Sequence, residues 1–120
     1  MNRISLTFLF LVLIIPSGAQ NSFLKKYSGA YNVMVTGYLG EAAEAYGLAD
    51  DGGAVWVYGY KDASGKMQTR QKRGSWTARE GEITIIINGN TGKITEVYRW
   101  RNNKFVNTED SSRWLKKRTG

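Results

Sequence analysis

Beyond residue 26 the chain alternates apolar and polar side chains with a period of two. Ile83, Ile85 and Ile87 fall on one face, and Thr84 and Ile86 on the other. β-Branched residues suit a pleated sheet and lose rotamer freedom in a helix, so this stretch predicts a strand. The wider segment Gly74–Ile87 reads as a strand ending in Trp76, a tight polar turn and the isoleucine strand, with Gly74 and Gly81 as bulge or turn positions. The same alternation predicts strands at Tyr27–Thr36 (Tyr27, Gly29, Tyr31, Val33 and Val35 on one face) and at Ala54–Lys61. In the second of these, Trp56, Tyr58 and Tyr60 oppose Val55 and Val57. Lys66–Thr77, polar and basic in its first half, is the longest strand expected. Lys93–Arg101, Lys104–Asn107 and Arg113–Lys117 complete the series.

Turn chemistry separates these runs. Asp50-Asp51-Gly52-Gly53 and Asp62-Ala63-Ser64-Gly65 supply residues that tolerate positive φ, and Asn102-Asn103 fits a two-residue hairpin turn. Asn88–Gly92 predicts a looser turn. Glu41–Ala45 favours helix by propensity but is too short to stand alone, so a helical turn and a strand start both remain open, with Tyr46-Gly47-Leu48 continuing as strand. Ser22 can cap a single helical turn over Phe23–Lys26. About eight strands joined by short turns predict an all-β fold: one antiparallel meander closing into a small barrel or half-barrel. The barrel domain is expected over residues 27–117, after a lead-in at 20–26 and before a basic tail at 118–120.

Residues 1–19 break the pattern and read as an N-terminal signal peptide. Arg3 makes the start positive, Leu6–Ile15 is apolar except for Thr7, and Ser17-Gly18-Ala19 places small residues for cleavage after Ala19. The apolar run is well short of the ~20 residues a membrane-spanning helix needs. The expected product is periplasmic or secreted, with no transmembrane segment after cleavage. Its 101 residues suffice for one core. The whole chain carries +7; cleavage removes only Arg3 among charged residues and leaves +6. With no cysteine anywhere, packing alone must stabilise the fold, and a lipid anchor on cysteine is excluded.

Gly29-Ala30-Tyr31 at the first strand, the Asp51-Gly52 turn, Gly74-Ser75-Trp76 and Gly81-Glu82-Ile83-Thr84-Ile85 together resemble small bacterial lipocalin-like and NlpE-type envelope domains. The resemblance covers residues 27 to about 116. It implies a calycin-like barrel that binds a ligand or partner rather than catalysing a reaction. The NlpE-type domain carries a lipid-anchor cysteine and a Cys-x-x-Cys pair; both are missing here, so no copper or thiol role is implied.

The absence of histidine and cysteine removes Ser-His-Asp and Cys-His catalysis and the usual zinc ligand sets. Adjacent carboxylates, Glu41 with Glu44 or Asp50 with Asp51, do not face each other across a cleft at ~5–10 Å as glycoside hydrolysis requires. The expectation is therefore not an enzyme, and no cofactor. Two aromatic ladders, Trp56-Tyr58-Tyr60 and Tyr98-Trp100, either fill the barrel or line a mouth that holds one small ligand. Lys66, Arg70 and Lys72 share a strand face, Arg73 continues the run, and Arg99 and Arg101 alternate with the second ladder. Such a mixture could stack and pair with single-stranded nucleic acid, but export argues against that partner. The candidate ligand-binding residues are Trp56, Tyr58, Tyr98, Trp100, Arg70, Arg99 and Arg101, with a small-molecule or anionic envelope ligand as the partner. The alternative is a protein-interaction or inhibitor module that presents an exposed aromatic-basic face to an envelope protein.

Overall fold

A computed structural model describes residues 16–37 and 43–119. Helix α1 (Pro16–Tyr27) precedes eight strands: β1 (Gly29–Val35), β2 (Ala43–Leu48), β3 (Gly53–Lys61), β4 (Met67–Arg79), β5 (Glu82–Gly89), β6 (Gly92–Arg101), β7 (Lys104–Asn107) and β8 (Arg113–Lys117). Each strand pairs antiparallel with the next, and β8 returns to β1 through Val33↔Leu115 and its neighbours, so the meander closes into a barrel. The all-β expectation holds. Among the described residues no helix is long and apolar enough to cross a membrane.

Alternation sets the inside. Tyr31, Tyr46, Leu48, Ala54, Trp76, Ala78, Ile83, Ile85, Ile87, Tyr98, Phe105 and Leu115 form one buried cluster. Fully burying each large aliphatic or aromatic side chain contributes ~1.5–3 kcal/mol, and no disulfide supplements that term. The barrel has two distinct ends. At one end sit the turns β2–β3, β4–β5 and β6–β7, and α1 packs there. Leu24 is buried, and Phe23 and Tyr27 lie against the core. The Tyr27 ring meets Phe105 edge-on at 5.1 Å, and its hydroxyl accepts the Gly81 N–H at 2.9 Å.

Several boundaries differ from the sequence reading. Tyr27 was expected to open the first strand but ends α1, because the Ser28 N–H still donates to the Leu24 carbonyl and Gly29 turns the chain at φ +136°. Residues 20–26 are thus more than a lead-in: the helix is twelve residues long, Pro16 begins it and Ser22 lies inside it. Proline is favoured at that first helical position, where its missing N–H costs nothing. The expected cleavage point after Ala19 falls within α1, and residues 1–15 of the expected signal segment lie outside the described residues. Residues 78–79, beyond the expected strand end at Thr77, do not turn; β4 continues to Arg79, Ala78 is buried opposite Ile83, and only Glu80-Gly81 turns, with Gly81 at φ +72°. The open choice at 41–45 resolves to strand from Ala43, while Glu41 and Ala42 lie outside the described residues. The turn after the isoleucine strand is tight, since Gly89 pairs with Gly92 across Asn90-Thr91. Asn102 and Asn103 stand at φ 52° and 64°, the left-handed pair that a two-residue hairpin requires.

Gly74 is fixed by close approach. A Cβ there would collide with the Ile86 carbonyl of β5, at the point where β4 first meets that strand. Gly59, in contrast, has only ordinary contact distances around its missing Cβ. Gly74→Ala should therefore destabilise the barrel by ~2–3 kcal/mol, as overpacking against rigid backbone does. Gly59→Ala should stay within ~0.5 kcal/mol of the parent. Urea midpoints of the two variants check the contrast.

Candidate functional site: an aromatic and ionic cavity opposite the helix

The barrel end away from α1 holds a cavity of about 140 Å³ lined by Glu44, Tyr46, Trp56, Lys72, Ile87, Ile94, Glu96 and Arg113. Strand parity explains the lining. Glu44, Tyr46 and Leu48 alternate inward on β2, and Ile94, Glu96 and Tyr98 share one face of β6. Arg113 is the first residue of β8, and the loop before it is tightly organised. The buried Asn107 side chain accepts the Glu109 and Asp110 N–H groups at 2.9 and 3.0 Å, and the Arg113 N–H donates to the Asp110 carbonyl at 3.0 Å.

The Arg113 guanidinium gathers both cavity carboxylates. Its Nη1 and Nη2 donate to Glu44 Oε1 and Oε2 at 2.8 and 2.7 Å, a bidentate pair. The same Nη2 reaches Glu96 Oε1 at 3.0 Å, and Nε lies 3.0 Å from Glu96 Oε2 and 2.9 Å from the Tyr98 hydroxyl. Tyr46 and Tyr98 donate their hydroxyls to Glu96 Oε1 at 2.6 and 2.7 Å, and Trp56 Nε1 donates to Glu44 Oε2 at 2.6 Å. Among the described residues no buried side-chain nitrogen or oxygen lacks a partner. Burial raises the Glu44 pKa, but the hydrogen bonds from Arg113 and Trp56 outweigh it and hold the carboxyl below its ordinary range. Burial, reinforced by the Glu96 charge, raises both Tyr46 and Tyr98, so they remain hydroxyl donors. Burial alone would lower Arg113, yet the bond to Glu44 and the neighbouring groups raise it.

Next to this network runs a ring ladder. Trp56 and Tyr58 stack with centroids 5.7 Å apart and planes 5° from parallel, and Tyr58 and Tyr60 follow at 6.0 Å and 21°. Across the sheet, Lys72 Nζ sits 5.6 Å from the Trp56 ring and the Arg70 guanidinium 5.2 Å from the Tyr60 ring. Neither cation has a carboxylate partner among the described residues.

The residues expected to bind a ligand are divided by this geometry. Trp56, Tyr58 and Arg70 come together at the cavity end. Tyr98 is fully buried beneath them and is committed to Glu96 and Arg113. Trp100, Arg99 and Arg101 stand towards the α1 end. Trp100 is 51% exposed and packs on Phe105, while Arg99 lies on the outer wall and pairs with Glu82 at 3.0 Å. Both arginines occupy strand positions opposite in parity to Tyr98, so they cannot reach the interior. Glu44, Tyr46, Glu96 and Arg113 were not among the expected residues. A charge in phase with apolar neighbours, as in Ile94-Glu96-Tyr98, was the available signal. The carboxylate that faces Glu44 is Glu96, fifty-two positions away; Asp51 instead serves its own turn by accepting the Gly53 N–H.

Comparison of the chain with protein-family models, curated proteins and solved structures gave no match. Residue chemistry and geometry therefore carry the functional reading.

Arg113→Met should destabilise the protein by ~3–5 kcal/mol at neutral pH, because two carboxylates lose their counter-charge. The pH dependence has a defined sign. In the parent the depressed Glu44 pKa contributes stability that is complete above its unfolded value of 4.5 and is lost as pH falls through the folded value. In Arg113→Met the Glu44 carboxyl loses the bidentate bond that helps hold its pKa low, so this pH-dependent stabilisation is diminished. The gap between the two proteins should narrow as pH falls, and unfolding curves at neutral and acidic pH measure it.

Proposed function

We propose that this chain is an exported, non-enzymatic binding protein, periplasmic or secreted, that takes a small ligand with a flat apolar body and an anionic group. The observation that carries the reading is the pairing of three stacked rings with two cations that have no carboxylate partner among the described residues, at the mouth of a cavity. The ligand's body would lie against Trp56 and Tyr58, and Lys72 and Arg70 would meet its charge. A cavity of about 140 Å³ is far below the ~300–1,000 Å³ of drug-sized sites and close to the ~150 Å³ that accommodates benzene. A single ring is therefore the part that enters, with the remainder resting on the ladder.

The state of the carboxylates supports binding over catalysis. Glu44 and Glu96 converge, but Arg113, Trp56, Tyr46 and Tyr98 take up their oxygens, which leaves no free base poised for proton transfer. The resemblance to lipocalin-like envelope domains points the same way. Arg99, Arg101 and Trp100 have no part in this site.

Native mass spectrometry of protein purified from the exporting compartment should show a bound small molecule. Titration with phenyl phosphate should perturb Trp56 fluorescence saturably, while neutral benzyl alcohol should bind more weakly. Lys72→Gln together with Arg70→Gln should weaken phenyl phosphate at least about tenfold, the equivalent of ~1.4 kcal/mol. No co-purifying molecule and no saturable response to either probe would overturn the reading.

A further inference from the structure

The barrel wall is split beside the cavity. β4 pairs with the whole of β3, from Lys61↔Met67 to Gly53↔Ser75, but with β5 only from Gly74↔Ile87 to Arg79↔Glu82. Residues 67–73 therefore have a strand on one side only among the described residues. β5 at the same level turns away to its own hairpin, where Asn88 pairs with Lys93. Beyond Gly74↔Ile87 no residue of β5 pairs with β4, and the unpaired side of residues 67–73 is termed the notch.

Hydrogen-bond directions show which groups face the notch. The Trp76 N–H donates to the Gly52 carbonyl at 2.9 Å, and the Lys66 carbonyl accepts the Asp62 N–H at 3.0 Å, so even-numbered backbone groups of β4 point at β3. In an antiparallel pair these directions alternate. The N–H and C=O groups of Met67, Thr69, Gln71 and Arg73 consequently point into the notch, and all four residues are exposed. The register to β3 runs without a bulge and the segment contains no proline, so two common ways of blunting an edge are absent.

We infer that residues 67–73 of β4 form a docking edge for an extended acidic segment of a partner protein, which adds as a strand in the notch. Charge selects this occupant. Lys66, Arg70, Lys72 and Arg73 crowd the edge, and the whole chain carries +7. Antiparallel pairing with a second copy would lay these cations against one another, a destabilising arrangement, whereas acidic side chains on an incoming strand would meet them. Main-chain bonds then supply affinity and alternate side chains supply selectivity. The edge shares Arg70 and Lys72 with the proposed cavity site, but its main-chain groups are ones that no cavity ligand needs, so amide protection distinguishes the two.

The test uses the full mature chain and an acetylated octapeptide of alternating glutamate and valine, with an alternating lysine and valine peptide as control. The acidic peptide should bind saturably, and the amides of Thr69, Gln71 and Arg73 should become protected from hydrogen exchange. The basic peptide should not bind. Gln71→Pro removes an N–H that faces away from β3, so the hairpin should persist while peptide binding falls about tenfold or more. Protection of the three amides in the parent protein decides the case even if that variant folds poorly. Equal binding of both peptides, binding without protection at those amides, or concentration-dependent dimerisation through β4 would overturn the proposal.

Discussion

One guanidinium ties together the charged groups inside this barrel. Arg113 enters at the start of β8 and takes up Glu44 from β2 and Glu96 from β6, so three strands distant in sequence meet at one charged group. Removing two carboxylates from water costs several kcal/mol each unless compensating bonds are made, and here Arg113, Trp56, Tyr46 and Tyr98 make them. The cavity is the space left above this network.

The two barrel ends have different duties for a physical reason. At the α1 end, Phe23, Leu24 and Tyr27 complete the apolar core and exclude water. At the opposite end the interior positions carry charge and hydroxyls, which need partners or solvent and so leave the end partly open. The long β3–β4 hairpin extends from that open end with rings on β3 and cations on β4. Cation and ring faces attract, by ~0.5–1 kcal/mol at exposed sites, which orients Lys72 and Arg70 without neutralising them. An ion pair with a carboxylate would have removed their charge; a ring leaves it available.

Gly74 links the fold to the split wall. Its lack of a side chain allows β4 to approach the Ile86 backbone, and that contact marks the limit of β4–β5 pairing. Below it the wall is continuous, and above it the hairpins separate. The same residue thus sets the boundary between the sealed core and the notch beside the cavity.

Much of the fold was legible because alternation is a local property. The faces of Ile83, Ile85 and Ile87 and of Trp56, Tyr58 and Tyr60 follow from period two, and the Asn102-Asn103 turn follows from tolerance of positive φ. The extent of α1 was not legible, since its Phe23 and Tyr27 are fixed by packing on a core assembled much later in the chain. Sequence named Trp56, Tyr58 and Arg70 among seven candidates, and these three lie together because they stand on neighbouring strands of one hairpin. It could not separate them from Trp100, Arg99 and Arg101, whose residue types are the same. Strand parity and barrel end decide that, and both depend on closure. The joining of Glu44, Glu96 and Arg113 was likewise a tertiary decision: these residues are far apart in the chain, and only the return of β8 to β1 brings them within hydrogen-bond reach.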